Sequence, residues 1–376
     1  GAVNRGCTRG PGPAMLSFSP VGFSSCARRA LTLICPVSSG HYHSAKSSTH
    51  TRGKGAAMLD ARQGPHSFLS YERFRFSLRL TGRTTLPDYK GSVLRGAFGN
   101  AFRKVVCVHK AGDCAACTLK DRCLYRSVFE PAAPPGFPDA GKYGNAPPPY
   151  IIVPPLTDRR SFESGETLDF ELTLMGPAVG ALPYFLFAFT ELGRMGLGKE
   201  RGTFDLDRVE LLNNGNAAAI YEGATGTLRS FGPTVHALER AGDGAREAVS
   251  LHLLTPLRIK VKKDLATELP FPLLFERLAE RLRLLAAFYG AGGQLPDLGA
   301  LGAMARDVRT TEDSLHWREW TRYSGRQKTT MNFGGLMGKM SFAGPLGPLM
   351  PCLRLGEHLN VGQHTTFGLG RFRIVS

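Results

Sequence analysis

Apolar and polar residues alternate over 74–80, and this alternation predicts the first strand of the chain. Every second residue from Phe74 to Leu80 is apolar, and arginine or serine fills the positions between them. Because successive side chains of a strand point to opposite faces, the apolar set faces a core and the arginines face away from it. Residues 168–174 repeat the alternation, so a second strand of this kind is predicted there.

Segments in which apolar residues recur every three or four positions lie between the predicted strands, and this spacing predicts amphipathic helices. Helices are predicted over 89–106, 182–195, 272–289 and 346–359, and further strands over 150–153, 203–211, 250–261, 317–323, 335–342 and 370–375. The order β-α-β-β-α-β therefore occurs twice. It predicts an α+β fold of two tandem ferredoxin-like (RRM-like) domains, over 66–212 and 246–376, joined by a linker or edge segment over 213–245.

Residues 1–65 lack sustained periodicity and are predicted to be a disordered basic extension or an over-long translation start. The stretch before Asp60 contains seven Lys/Arg and no acidic residue. Such an Arg- and Ser-rich composition can also mark an organellar transit peptide. Met15 and Met58 offer alternative starts, so the extension or over-long start is favoured.

The net charge is +16, and +9 remains when the seven N-terminal cations are set aside. A basic body favours a polyanionic partner, although a modest excess of cations can serve solubility alone. No run of about eighteen apolar residues is present, so no membrane partner is expected.

Basic residues recur on the first predicted strand of each domain. They are Arg73, Arg75 and Arg79 in the first domain and Arg258, Lys260 and Lys262 in the second. In a ferredoxin-like domain the helices cover one sheet face, and RNA-recognition modules use the other. Solvated strand faces are common in antiparallel sheets, but the recurrence favours one RNA-binding surface built from both strands.

Four cysteines within seventeen residues form a candidate metal site, a small insertion over 107–123. Their spacing is Cys107-x6-Cys114-x2-Cys117-x5-Cys123. Four soft ligands with a C-x2-C knuckle suit tetrahedral zinc, and a [4Fe–4S] cluster is also compatible with them. Disulfides are the alternative, but they rarely persist in a cytosolic protein. A structural zinc is therefore expected.

Several sequence blocks resemble the CRISPR pre-crRNA-processing endoribonucleases of the RAMP superfamily. The blocks are LRGAFG at 94–99, the cysteine segment ending in FEP at 129–131, RYSGRQK at 322–328, GGLMG at 334–338, LGEHLNVG at 355–362 and TFGLGR at 366–371. The resemblance covers residues 68–376. It implies RNA cleavage within CRISPR repeats that needs no metal for catalysis, in which the ribose 2′-OH attacks the phosphate and leaves a 2′,3′-cyclic phosphate.

That chemistry needs a base on the 2′-OH, an acid on the leaving 5′ oxygen and cations beside the phosphorane. Many relatives place a catalytic histidine in or near the first helix, and this helix has none; Asn100 stands where one would be expected. The candidate proton-transfer groups are therefore His364, Lys104, Tyr89 and His109, with Lys90 and His358 as further candidates.

These candidates are expected to meet where the first helix faces the glycine-rich turn at 362–370. A stripe of Ser92, Gly96 and Gly99 on the helix indicates a close approach, by a neighbouring helix or strand or by an RNA backbone. Arg103 is a candidate phosphate clamp. Further RNA-binding candidates are Arg326, Lys328, Gly368, Gly370 and Arg371, and the glycines would let backbone amides approach phosphates.

Two functions remain open at this point. One is a processing endoribonuclease, and the other is a non-cleaving subunit that binds the repeat-derived end of the guide RNA. The resemblance favours the endoribonuclease. The absence of a histidine in the first helix strengthens the case for the non-cleaving subunit compared with other members of the family. The expected partners are CRISPR repeat RNA and crRNA, together with other CRISPR effector subunits. The resemblance implies a prokaryotic, cytoplasmic protein.

Overall fold

The computed structural model describes residues 67–109, 113–114, 116–133, 146–213, 215–232, 234–237, 245–290, 295–324 and 329–375. The predicted extension over 1–65 and two predicted RNA contacts, Arg326 and Lys328, lie outside the described residues. Within the described part of the chain, no helix is long and apolar enough to cross a membrane.

The first half (67–237) is a mixed α/β unit. Its elements are β1 Ser67–Leu80, β2 Thr84–Thr85, α1 Gly91–Val106, α2 Leu124–Phe129, β3 Tyr150–Val153, β4 Ser161–Phe162, β5 Thr167–Met175, α3 Leu182–Met195, β6 Phe204–Asn213, β7 Asn216–Glu222, β8 Thr227–Leu228 and β9 Val235–Ala237. The main sheet has the order β3-β5-β1-β6-β7-β8, and β9 pairs with the start of β1. All of its pairings are antiparallel.

The second half (245–375) follows the same plan. Its elements are β10 Ala248–Leu257, β11 Lys260–Val261, β12 Asp264–Leu265, α4 Phe271–Tyr289, α5 Leu298–Met304, β13 Arg309–Asp313, β14 His316–Arg318, β15 Thr321–Ser324, β16 Thr329–Asn332, β17 Gly335–Ala343, α6 Met350–Leu359 and β18 Phe372–Val375. The sheet order is β13-β17-β10-β18, with β14 also paired to β17. In the first sheet β1 lies between β5 and β6, and in the second sheet β10 lies between β17 and β18. The first long strand of each half therefore has the same central position in its sheet.

Alternation in β1 buries its apolar side chains beneath the helices of the first half. Phe74 and Phe76 are fully buried in a core that also contains Phe98 of α1 and Phe189 of α3. The rings of Phe98 and Phe189 stack with centroids 4.8 Å apart and an interplanar angle of 10°. Aromatic packing of this kind fixes both helices on one face of the sheet.

The start of β1 belongs to the other core. Phe68, Leu69 and Tyr71 pack with residues of the second half, among them Leu278 of α4. A long strand that contributes to both cores joins the two halves through buried apolar contacts, which favours a fixed arrangement of the halves.

The structure corrects the prediction that 250–261 is one strand with a basic face. β10 ends at Leu257, and its register against β17 shifts after Leu253. Arg258 follows the strand, Lys260 lies in the separate hairpin β11–β12, and Lys262 lies in its turn with φ of 58°. The three cations therefore share no strand face.

Two other predicted segments also differ in detail. The strand predicted over 317–323 is divided into β14 and β15, and the linker predicted over 213–245 contains β7, β8 and β9. The sequence predicted that another part of the molecule approaches Gly96 and Gly99 of α1 closely. The structure shows such an approach at Gly99 only. A Cβ on Gly99 would lie 3.2 Å from the Phe129 ring, whereas a Cβ on Gly96 would meet nothing within 4 Å.

Candidate active site at the glycine turn

The segment 361–370, called here the glycine turn, follows α6 and is held in left-handed backbone conformations. Gly362, Gly368 and Gly370 have φ of 84°, 82° and 70°, and His364 has φ of 60°. A Cβ on Gly370 would lie 1.7 Å from the carbonyl oxygen of Val361, so only glycine fits there.

The structure does not support the prediction that Gly368 and Gly370 present their amides to phosphate. Both residues are buried. The Gly368 amide donates to Thr365 O at 2.8 Å and the Gly370 amide donates to Pro256 O at 3.1 Å. These glycines shape the turn, and their donors are already used within the protein.

The start of α1 contacts the glycine turn, as the sequence predicted. The Tyr89 hydroxyl donates to Phe367 O at 2.8 Å, and Gly91 packs so close that a Cβ there would lie 2.1 Å from the same oxygen. Burial raises the pKa of the Tyr89 phenol far above its ordinary value. Because a protonated and engaged phenol is a poor base, Tyr89 holds the turn in place.

His364 lies in this contact region among aromatic rings. Its imidazole packs against Phe333 with centroids 4.5 Å apart and the ring planes tilted by 36°, and it lies 6.0 Å from the Phe367 ring. The Arg258 guanidinium lies 5.7 Å from the Phe333 centroid and donates to Gly334 O. An imidazole and a guanidinium thus share one ring, which places a proton-transfer group beside a cation.

Lys104, Arg103 and His109 lie at the opposite end of α1. At about 1.5 Å per residue, Lys104 is about 20 Å along the helix axis from Gly91. The Lys104 ammonium is ion-paired with Glu191 at 2.6 Å, while Arg103 and His109 line a cavity beside the cysteines. One phosphate cannot reach both ends, so these three residues do not share a site with His364.

Two further candidates have structural partners. The Lys90 side chain is fully buried, and its ammonium donates to Thr157 O at 2.7 Å and Asp88 O at 3.1 Å. Burial lowers its pKa. His358 forms a 2.8 Å hydrogen bond through Nδ1 with the Tyr71 hydroxyl, which links α6 to β1. Both residues hold elements together.

Each predicted RNA-binding arginine of β1 is paired with a carboxylate on a neighbouring strand. Arg73 pairs with Glu171 at 2.7 Å, Arg75 with Glu210 at 3.1 Å and Arg79 with Asp207 at 3.5 Å. These acids reduce the positive potential of the face. Arg371 lies on the other side of Glu171, at 3.7 Å.

Glu171 is ionised between these two arginines. Burial by itself raises the pKa of its carboxyl group, but the hydrogen bond from Arg73 and the charges of Arg73 and Arg371 outweigh burial and hold the pKa below its usual range.

Lys260 and Lys262 are solvent-exposed on the β11–β12 hairpin, which follows Arg258 in the chain. Among the described residues, no carboxylate is ion-paired with either lysine. Their charge therefore adds to the potential around the glycine turn, in contrast to the paired arginines of β1.

Cys107, Cys114, Cys117 and Cys123 are half-buried free thiols that line one cavity together with Arg103, Lys120 and Arg126. The donor set fits zinc. Within the described residues, however, no three His, Cys, Asp or Glu side chains lie close enough together to ligate one ion. The thiols surround the cavity without converging on a single point.

The sequence reasoning missed the aromatic residues that support His364. Trp320 packs against Tyr89 and Phe333 with centroids 4.6 and 5.1 Å away, and Arg95 lies between the rings of Phe129 and Phe367 at 5.2 and 5.1 Å. Arg95 belongs to the LRGAFG block, one of the blocks that carry the family resemblance, and this was a signal that it could lie near the glycine turn. Trp320 and Phe333 lack such a signal.

The second half of the chain matches a known family. Residues 251–372 match the family model described as CRISPR-associated endoribonuclease Cas6. The second half of the chain belongs to the CRISPR-associated Cas6 endoribonuclease family. A further model, described as an N-terminal domain, matches residues 69–232. The glycine turn, Arg258, Phe333 and His364 all fall inside the Cas6 match.

Similarity to known proteins extends over most of the chain. A protein of Archaeoglobus fulgidus described as uncharacterized is 27% identical over 300 residues, which cover 77% of this chain and 93% of that protein. A solved Cas6 product complex has a TM-score of 0.51 and 17% identity, covering 81% of this chain and 99% of its own. A partial Cas6-RT-Cas1–Cas2 complex also scores 0.51, at 15% identity, over 82% of this chain and 46% of that one. At these identities the solved structures show a shared fold.

Proposed function

We propose that the chain is a CRISPR repeat RNA endoribonuclease built on two ferredoxin-like domains, with its active centre at the glycine turn. The observation that carries the proposal is the placement of His364, held in a left-handed turn against Phe333 and beside Arg258. Family membership supports RNA processing as the class of function, and the repeated strand order supports the ferredoxin-like description.

The reaction assigned to this site is metal-independent transesterification. The 2′-oxygen forms a bond to phosphorus as its proton leaves, the bond from phosphorus to the 5′ oxygen breaks, and that oxygen takes up a proton. Products are a 2′,3′-cyclic phosphate and a 5′-OH. His364 is the proton-transfer group, because imidazole can accept or donate a proton near pH 7. Arg258 balances the charge of the phosphorane.

Binding of the RNA is assigned to the cations around the turn. Lys260 and Lys262 are exposed beside Arg258, and phosphate contacts of this kind supply most of the affinity of an RNA-binding protein. The solved Cas6 product complex and the Cas6-RT-Cas1–Cas2 complex support crRNA and other CRISPR proteins as partners.

A structural zinc is proposed at the four cysteines, with a [4Fe–4S] cluster as the alternative. Cys107, Cys114, Cys117 and Cys123 would hold it, because their thiols line one cavity. The bound metal would fix the loop after α1. It lies at the end of α1 remote from His364, so no catalytic step passes through it.

The second candidate function is a non-cleaving subunit that holds repeat RNA. Two observations favour it: α1 contains no histidine, and the Tyr89 phenol is protonated and engaged with Phe367 O. Both functions need the same binding surface, so only a cleavage assay distinguishes them.

The test is incubation of purified protein with repeat RNA in EDTA, followed by single-turnover kinetics at saturating protein. We expect products that end in cyclic phosphate. His364→Ala should cleave about 10²- to 10⁴-fold more slowly while binding RNA within a few-fold of wild type, because it removes a proton-transfer group.

Lys104→Ala and His109→Ala, at the far end of α1, are the matched controls and should cleave within a few-fold of wild type. Intact RNA with tight binding would establish the subunit instead. Cleavage by His364→Ala at the wild-type rate would move the active centre away from the turn.

A further inference from the structure

Trp317 and Glu319 form a pair around Gly334 that the cleavage chemistry does not use. The Trp317 indole donates to Glu319 Oε1 at 2.6 Å. A Cβ on Gly334 would lie 2.6 Å from Glu319 Oε2 and 2.8 Å from the indole nitrogen, so glycine is required for the pair to form. The carboxylate is solvent-exposed and the indole is half-exposed.

This pair adjoins the candidate active centre. Arg258 donates to Gly334 O, and its guanidinium interacts electrostatically with Glu319. Phe333, which precedes Gly334, packs against His364. Trp317 faces Leu336 across the β14–β17 pairing and packs on the core of the second half, so its position is fixed.

The chemistry of the pair suits a nucleobase and excludes a phosphate. A partly exposed indole offers a π-face on which an unpaired base can stack. A carboxylate repels phosphate but accepts hydrogen bonds from base N–H and amino groups. Guanine is the best match, because its Watson–Crick edge presents two adjacent donors, N1–H and the 2-amino group.

We propose that Trp317 and Glu319 form a base-recognition subsite that stacks an unpaired guanine beside the glycine turn. The inference rests on the proposed function, since it assumes that RNA reaches His364. Arg258 then lies between the base held by the pair and the phosphate at His364. The subsite supplies base selectivity, and the lysines of the β11–β12 hairpin supply charge.

Intrinsic fluorescence tests the subsite, because the chain has only two tryptophans. In the Trp320→Phe variant the emission reports Trp317 alone. The probes are single-stranded oligouridylates with one central guanosine, inosine or uridine, and binding is followed independently by anisotropy of a labelled RNA. We expect quenching of Trp317 that saturates together with binding and is strongest for guanosine.

Affinity gives the second readout. Trp317→Ala should weaken binding of the guanosine RNA about 5- to 150-fold without changing the salt dependence, since stacking releases no counterions. Trp317→Phe should retain most of the affinity. Glu319→Gln should reduce the preference for guanosine over inosine, which lacks the 2-amino group, and Glu312→Gln on β13 is the matched exposed control.

Two results would overturn the subsite. If RNA binds and is cleaved while Trp317 emission stays constant, the subsite is wrong and the proposed function stands. If none of the RNAs, repeat RNA included, binds the wild-type chain, both fail together. Equal affinity for guanosine and inosine RNA in the wild type would remove the assigned role of Glu319.

Discussion

The two halves of the molecule share a strand order but use their charged residues differently. In the first half, the arginines of β1 are neutralised by Glu171, Glu210 and Asp207. In the second half, Lys260 and Lys262 project from a hairpin without a paired carboxylate among the described residues. In the first half these charges connect neighbouring strands, whereas the exposed lysines of the second half fit the RNA-binding role proposed for them.

The same contrast appears along α1. Its start packs on the glycine turn through Gly91 and Tyr89, whereas its end leads to the cysteines. The first half therefore contacts the proposed active centre at one end of this helix and carries the four-cysteine segment at the other. Substitutions at the start of α1 should therefore affect the glycine turn, and substitutions at its end should affect the cysteine segment.

The largest expected effect tests whether the cysteine segment is structural. Cys114→Ala should destabilise the first half by about 4 kcal/mol or more, because loss of a structural metal removes folding free energy. Elemental analysis of wild-type protein purified under reducing conditions should find about one zinc, or the iron of one cluster, per chain.

Cys352→Ala is the matched control, since Cys352 is buried in the core of the second half, far along the chain from the other thiols. It should leave the metal content unchanged. Protein that contains neither zinc nor iron would contradict the metal site. A folded Cys114→Ala protein that retains its metal would do so as well.

The next effect compares the two sets of cations directly. Neutralising Lys260 and Lys262 to glutamine should lower the slope of log affinity against log salt by about 1.4 on single-stranded RNA, at about 0.7 per phosphate contact. Neutralising Arg75 and Arg79 should change the slope far less, because their charges are already paired.

The measurement is RNA affinity from 50 to 400 mM salt for both variants. Equal changes in slope would show that the β1 arginines contact phosphate despite their carboxylates. The contrast between the halves would then be wrong. An unchanged slope in the lysine variant would remove the hairpin from the binding surface.

Local patterns in the sequence predicted elements well and predicted contacts poorly. The helix predicted over 182–195 is observed over the same residues, because its apolar spacing and the following Gly196 are local signals. The pairing of Arg75 with Glu210 joins residues 135 positions apart. No local pattern around Arg75 reports such a partner.

The candidate site shows the same limit. His364 and the helix start were predicted to meet, and Tyr89 does contact the turn. The end of β10 was missed because Leu254 and Thr255 donate to Arg371 O and Gln363 donates to Arg258 O, contacts that depend on the fold of the last strand. Phe333 packs against His364, and Trp320 packs against Phe333. Both aromatic residues flank the β15–β16 pair, whose position no periodicity in the sequence predicts.

The smallest expected effect concerns Glu171, which joins the arginine of β1 to Arg371 at the edge of the turn. Its pKa is held below the usual carboxyl range, so its contribution to stability is present above about pH 4.3, the unfolded value, and is lost as the pH falls through the folded pKa. Glu171→Gln should cost about 1 kcal/mol at pH 7, because glutamine keeps an acceptor but no charge.

Urea unfolding of wild type and Glu171→Gln at pH 7 and pH 3 measures this difference, which should shrink at the lower pH. Glu222→Gln is the matched control, since its carboxylate forms a more exposed pair with Arg208 at 3.6 Å and should contribute little. A Glu171→Gln effect of equal size at both pH values would show that packing, and not charge, is lost. In that case the ion pair between Glu171 and Arg73 would contribute no stability through its charges. RNA phosphates could then replace the carboxylate as the partner of the arginine without a loss of stability.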